Sequence, residues 1–289
     1  MKLYSIALFA LTIIFGCTPS HYELNGKLNG VADGTELELI PGATHTDEKP
    51  ESAAIVKDGQ FKFTGNLPEP RLYYLSVKGC RGVARIFLEN NTIKLAADVE
   101  FSENGNNKTA TFKNVNVTGS QSHLLYMEKT KFRKEQEQMY EKMHADYAEI
   151  IQQTGKARRD KNQTRLDSLL KTEEYLKMAQ AEKDFFSFVE TSSKKAFSDN
   201  KDTWWGPFLM LEVMSYYTPE QQPLFNEFSE TAKNSYYGQI LKALVFPKTL
   251  TGERVSEFSV TNDKGESIPF QKLAEGKKFI YIDFWASWC

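Results

Sequence analysis

Cysteine and histidine are scarce in this chain of 289 residues, which has three of the former and four of the latter. Cys17, Cys80 and Cys289 lie far apart, whereas a disulfide framework shows an even, dense set and a zinc site shows paired C-x-x-C or His spacings. His21, His45, His123 and His144 are isolated and match no ligand spacing, so neither a metal nor another cofactor is expected. An excess of one charge is missing too. Lys and Arg number 36 against 38 Asp and Glu, a formal net charge of −2, and the two signs are interleaved. Net charge therefore favours neither nucleic acid nor an anionic membrane surface.

A long apolar run is also absent. Residues 3–15, LYSIALFALTIIF, are too short for the ~20 residues that cross a bilayer, but with Met1-Lys2 before them they have the layout of an export signal. The run ends in Ile14-Phe15-Gly16-Cys17, and a small residue directly before Cys resembles the bacterial lipobox. That resemblance implies a signal peptide over 1–16, a lipid anchor on Cys17 and a polar tether over 17–20. An ordinary secretory signal with a chance Cys is the alternative.

What is present divides by period. Over 21–118, Tyr22, Leu24, Gly26 and Leu28 alternate with polar residues, as do Leu37 and Leu39, the period of two of a half-buried strand. Asp58-Gly59 between AAIV and FKFTG predicts a hairpin. RLYYLSV, VARIFLE, NTIKLAA and TATFKNVNV follow as further strands, which together predict an antiparallel β-sandwich or small barrel. Over 119–247 the period becomes helical. Leu125, Phe132, Met139, Met143, Tyr147 and Ile150 form one stripe, and a second begins near Leu166 and runs to Val189. With QTGKARRDKNQ between them, they predict two long helices in an antiparallel hairpin. Shorter helices are expected over FLMLEVMSYY, after a Thr218-Pro219 cap and over YYGQILKALV, with Pro223 an awkward interior residue. Trp204-Trp205 reads as an aromatic plug between helices, and Cys80 as a structural thiol.

From residue 248 the pattern changes again. SEFSV and SIPF flank a turn at Asn262-Asp263-Lys264-Gly265, and FIYIDFW has the continuous apolar character of a strand buried on both faces in an α/β sheet. Cys289 would then open a helix, where the helix dipole and free backbone N–H groups favour the nucleophilic thiolate. Asp283 on the same strand is costly to bury as a charge, which suits it to accept a proton from a partner thiol. Trp285 and Trp288 shape the site around the sulfur.

Asp283-Phe284-Trp285-Ala286-Ser287-Trp288-Cys289 resembles the first half of the thioredoxin active-site signature, which continues Gly-Pro-Cys or a similar pair and then Cys. The preceding GERVSEFSVTNDKGESIPFQKLAEGKKFIYIDF is similar to the opening of envelope thioredoxins of the TlpA/ResA type, although Ser256 stands where that family usually has Pro. NGKLNGVADGTELEL, VKDGQFKFTG and IFLENNTIKL resemble a β-sandwich family of unassigned function found N-terminal to such domains in exported lipoproteins. These likenesses imply an α+β multidomain chain: an N-terminal antiparallel β-sandwich, a central α-helical region and an incomplete C-terminal thioredoxin-like α/β segment over 248–289. They imply a thiol–disulfide oxidoreductase facing the periplasm in a bacterial envelope, with protein thiols and disulfides and an upstream thiol donor as partners. The resolving Cys and the substrate-side cis-Pro do not occur within residues 1–289, which implies a fragment inactive in exchange.

Two alternatives stay open. One is a non-catalytic binding or structural lipoprotein, with an unknown partner for the β-domain. The other is a peroxiredoxin-like peroxidase, although DFWASWC lacks the Pro and Thr of P-x-x-x-T-x-x-C. The lipobox reading is tested by growth with radiolabelled palmitate. Label is expected on the wild type and absent from Cys17→Ser; label that survives the substitution sinks the reading.

Overall fold

The computed structural model describes residues 20–105, 107–248 and 251–283. The chain divides into a unit ending at Phe246 and another beginning at Pro247. The first is mixed α+β, strands first and helices after.

Eight strands open the first unit: β1 (Tyr22–Asn29), β2 (Glu36–Pro41), β3 (Ser52–Ile55), β4 (Gln60–Gly65), β5 (Arg71–Val77), β6 (Val83–Leu88), β7 (Thr92–Asn104) and β8 (Asn107–Thr118). They form two four-stranded sheets, in the orders β4-β1-β7-β8 and β3-β2-β5-β6. Alternation along β1 turns Tyr22, Leu24, Gly26 and Leu28 inward, where they share one core with Leu37, Leu39, Leu75 and Ile86 of the other sheet. Gly26 is required there, because a Cβ would lie 2.0 Å from the ring of Phe61. Cys80 is a free thiol that packs partly buried against this core.

Two expectations change. The sheets are not wholly antiparallel, since β1 runs parallel to β7. The Asp-Gly turn forms, with φ of 53° at Asp58 and 68° at Gly59, but it closes only the single bridge Lys57–Gln60. Its arms separate, β3 joining β2 and β4 joining β1. The reason is docking: Leu28 donates to the Gly59 carbonyl at 2.9 Å and Gly59 donates to Asp33 Oδ1 at 3.1 Å, so the turn serves as a corner between sheets.

The helices are α1 (Gln121–Lys129), α2 (Lys131–Asp146), α3 (Ala148–Arg159), α4 (Gln163–Leu169), α5 (Glu173–Ser198), α6 (Trp205–Val213), α7 (Gln222–Asn226), α8 (Glu230–Asn234) and α9 (Tyr236–Val245). The two-helix hairpin is therefore subdivided, with breaks at Thr130 and Tyr147. The polar connector is shorter than its composition implies, because α3 continues to Arg159. Thr154 turns its hydroxyl back to the Ile150 carbonyl, and Lys156 pairs with Asp160 one turn on. The first apolar stripe splits between two cores: Leu125 and Phe132 join the helix–sheet core, Tyr147 and Ile150 a small one beneath α3 and α4. The Thr218 capping box is present, and Pro223 falls within the first turn of α7, where its missing N–H costs nothing.

Strand and helix regions share a core across residue 118. α6 is buried at every position from Trp205 to Leu211, as an apolar helix without a polar face must be. Against it lies Phe87, fully buried on the face of β6 away from the inter-sheet core. Its ring centroid is 4.9 Å from Phe208, 5.3 Å from Trp205, 5.3 Å from Tyr126 and 5.6 Å from Trp204. Trp204 and Trp205 stack at 4.0 Å, so the pair plugs a seam between helices and sheet. Tyr237 of α9 accepts the Leu72 N–H at 2.7 Å, a buried tie to β5.

In the second unit, β9 (Ser259–Thr261) and β10 (Ser267–Pro269) form the expected hairpin. Asn262 Oδ1 accepts from Lys264 N at 3.0 Å and Glu266 N at 2.9 Å, and Gly265 takes φ 80°. Phe258 stacks on Phe270 of α10 (Phe270–Ala274) at 4.6 Å. Residues 279–283 form no strand and are exposed, Phe279 to 92 % and Tyr281 to 89 %. Among the described residues no strand flanks them, so a run suited to the middle of a sheet has no ladder to join.

Phe87→Ala is expected to cost the first unit about 3–5 kcal/mol. In urea unfolding, the helical signal at 222 nm and the tryptophan near-UV signal should shift together. Loss of the helical transition with an unchanged second transition would show that strands and helices do not share the core.

Candidate functional site

Of the redox-site and lipidation residues expected from the sequence, Asp283 alone lies among the described residues. It is exposed and outside any strand, so the buried setting expected for it is absent. Cys17, Trp285, Trp288 and Cys289 lie outside the described residues.

The first unit builds a different site, a cleft of about 610 Å³ between the segment after β2 and the C-terminal end of α6. Pro41 has no N–H to extend the ladder, and the chain turns away there. Ala43 and His45 then take φ of 57° and 59°, the left-handed region that costs an L-residue roughly 1–2 kcal/mol. The surroundings hold both. Ala43 is buried in the helix–sheet core and its N–H reaches Tyr74 Oη at 3.4 Å. His45 Nε2 lies 2.7 Å from the Leu211 carbonyl oxygen. Since a carbonyl only accepts, Nε2 carries the proton. The imidazole also meets Tyr217 edge-on at 5.3 Å.

These contacts answer a requirement of α6. The last carbonyls of a helix have no partner within it. Leu211 O finds His45, and Met210 O accepts Tyr217 Oη at 3.1 Å and Met214 N at 3.0 Å. Burial of the Tyr217 ring raises its phenol pKa, keeping it a hydrogen-bond donor.

Glu212 lies on the cleft floor, and Asp47, Glu48 and Arg85 also line the cleft. The Glu212 side chain is 3 % exposed and sits in the last turn of α6, where the helix dipole disfavours a carboxylate. Two guanidinium groups offset that cost: Arg85 Nη1 of β6 at 2.7 Å and Arg133 Nη1 of α2 at 3.0 Å. Burial works against the charge of Arg85, but the opposing field of Glu212, with a contact to Tyr126 Oη at 3.4 Å, carries its pKa upward. Tyr126 is shifted up as well, first by burial and then by Glu212.

Two cations on one carboxylate leave the trio with a positive charge, but Arg133 does not line the cleft, whereas Asp47 and Glu48 do, beside the hydroxyls of Thr44 and Tyr74. The lining thus mixes hydrogen-bond donors with carboxylates and selects no one sign of ligand charge. Among the described residues it holds no thiol, and no group of three His, Cys, Asp or Glu is placed to hold a metal ion. Sequence reasoning set His45 aside as isolated and passed over Arg85 and Glu212. The usable signal was Glu212 itself, a lone charge inside the apolar run FLMLEVM.

Residues 22–126 match the model of a family described as a domain of unknown function, DUF4369. The match covers little more than a third of the chain, from the first strand to Tyr126 beside Phe87. Neither the comparison with curated proteins nor that with solved structures gives a match.

Stability variants test the clamp. Removing both arginines (Arg85→Ala with Arg133→Ala) leaves a buried carboxylate unpaired and should cost about 3–5 kcal/mol. Glu212→Gln leaves two partly exposed guanidinium groups that water can solvate, and should cost less. Urea midpoints of the three proteins, wild type included, decide it; a Glu212→Gln loss equal to the double variant's would remove the carboxylate as the group that needs the clamp.

Proposed function

We propose that the chain is the N-terminal part of a lipid-anchored envelope thiol–disulfide oxidoreductase similar to the TlpA/ResA type, facing the periplasm. The observation that carries this reading is the motif Asp283–Cys289, with Trp285 and Trp288 beside the thiol, following a hairpin, a helical turn and an apolar run in the order that family uses.

In the reaction, the Cys289 thiolate attacks one sulfur of a substrate disulfide. A new S–S bond forms, the substrate S–S bond breaks, and the leaving thiolate takes a proton. A second thiol, which the family places three residues after the first, gives its proton to Asp283 and attacks the mixed disulfide. The substrate leaves as a dithiol, reduced by two electrons, and the active-site pair is left as a disulfide. An upstream thiol donor restores it. The cycle needs that second thiol beside Cys289, and Cys17 and Cys80 are remote from it in sequence. The β-strand and helical unit serves as the carrier between anchor and redox segment.

One observation favours a second reading, a binding lipoprotein: the cleft above Glu212, lined by Arg85 and two left-handed residues, is formed without the redox segment. Insulin reduction separates the two. The protein extended to its genomic stop is expected to reduce insulin, and Cys289→Ser to fall to background. Wild-type rates in Cys289→Ser, or a stop codon directly after codon 289, would leave only the binding reading.

A further inference from the structure

Asparagine followed by glycine occurs three times, at Asn25-Gly26, Asn29-Gly30 and Asn104-Gly105. Glycine has no Cβ, which leaves its amide nitrogen open to the side-chain amide one residue before it. The fold treats the three pairs differently. Asn25-Gly26 lies inside β1, between β4 on one side and β7 on the other, and Asn25 Nδ2 donates to Glu23 Oε1 at 2.8 Å. Asn29 ends β1 opposite Asp98 of β7, and its Nδ2 donates to Asp98 Oδ1 at 2.7 Å. Gly30 is pressed on the same strand, since a Cβ there would lie 2.4 Å from the Val99 carbonyl oxygen. Asn104 instead ends β7 at the tip of the β7–β8 hairpin, opposite Asn107. Residues 101–105, 107 and 108 are all exposed. The outermost backbone hydrogen bonds that reach this hairpin from elsewhere are Arg81 N to the Lys108 carbonyl at 2.8 Å and Ala110 N to the Arg81 carbonyl at 2.7 Å. The Asn104 side chain forms no hydrogen bond among the described residues.

We propose that Asn104 is a site of spontaneous deamidation, while the fold protects Asn25 and Asn29. The reaction needs no enzyme. The Gly105 nitrogen gives its proton to water or hydroxide and attacks Cγ of Asn104. A C–N bond forms and closes a five-membered succinimide, the Cγ–Nδ2 bond breaks, and the amide leaves as ammonia after taking up a proton. One water then opens the ring at either carbonyl and leaves aspartate or isoaspartate, with no change of oxidation state. Ring closure requires the asparagine to turn out of the extended conformation, so it proceeds from locally opened states. The end pair Asn104–Asn107 can fray without disturbing the core, whereas opening around Gly26 parts β1 from two neighbours and from the Phe61 ring packed on it. Asn29 must first give up Asp98. Conversion at Asn104 replaces a neutral amide by a carboxylate and takes the formal net charge from −2 to −3. The isoaspartate form also puts an extra carbon into the main chain, so the register of Asn104 with Asn107 is lost.

The test is peptide mapping by mass spectrometry of the purified full chain held in mildly alkaline buffer. Asn104 is expected to convert at least about tenfold faster than Asn25 or Asn29, the equivalent of about 1.4 kcal/mol of extra opening free energy at those two. Isoaspartate should accompany aspartate at Asn104, because the ring opens at both carbonyls. In urea, with the chain unfolded, the three Asn-Gly pairs should convert at similar rates. Asn104→Gln should remove the product from its peptide and leave the urea midpoint unchanged, since that side chain has no partner to lose. Equal rates at the three pairs in the folded chain, conversion led by Asn25 or Asn29, or aspartate without isoaspartate overturns the proposal. A ranking that persists in urea assigns the difference to local sequence and overturns the protection by the fold. The urea comparison needs no variant, so a folding defect cannot decide the outcome.

Discussion

The contact between Phe87 and α6 is the constraint on which the larger unit depends. A β-sheet can bury one face against another sheet and leave the second to water. The sheet β3-β2-β5-β6 instead buries both: Leu75 and Ile86 face the other sheet, while Leu72 and Phe87 face helices. An all-apolar helix such as α6 has no stable position except between other elements, and this second sheet face provides it. Remove that contact, and α6 exposes seven buried residues while α1 and α9 lose the surface they pack on.

The cleft is a consequence of the same docking. Once α6 is seated, its last turn and its unsatisfied carbonyls arrive beside the end of β2, and the loop must meet them. His45 and Tyr217 do so by hydrogen bonds, and Arg85 and Arg133 neutralise Glu212. The left-handed backbone at Ala43 and His45 is tolerable because it delivers those partners. A buried carboxylate between two cations stabilises little by itself and imposes geometry: β6, α2 and α6 must all be in place for it to be satisfied. The other sheet differs. Among the described residues no helix covers its outer face, so β1, β4 and the first half of β7 alternate, and lysine, asparagine and threonine share the positions facing water with Glu23, Asp98 and Glu100.

Much of the local structure was legible. Strand alternation from Tyr22, the Asp58-Gly59 turn, the Thr218 capping box, the hairpin at Asn262 and the helix YYGQILKALV all follow from short-range chemistry. The failures are non-local. Asp-Gly chemistry dictates a turn, but not that its two arms join different sheets. Nothing in the periodicity of β1 and β7 announces that they pair in parallel, 69 residues apart in register. The connector between the helical stripes is polar because α3 is exposed there, and polarity alone does not distinguish an exposed helix from a loop. Even the division at residue 118 marks a change of period without marking a change of core: Phe87 in the run IFL, three apolar residues in succession, was the trace of a strand covered on both sides.

The sequence by itself determined the order of strand and helix, the turns and caps, and the motif DFWASWC on which the redox proposal stands, because each depends on residues within a few positions of one another. Tertiary structure alone decided that His45, Arg85, Arg133 and Glu212 converge, and that Trp204 and Trp205 close a seam with the sheet. Those groupings come from strand register and from helix docking, which bring His45 to Leu211, 166 positions away. Composition records such residues one by one, and only packing sets their charges and hydrogen-bonding groups within reach of each other.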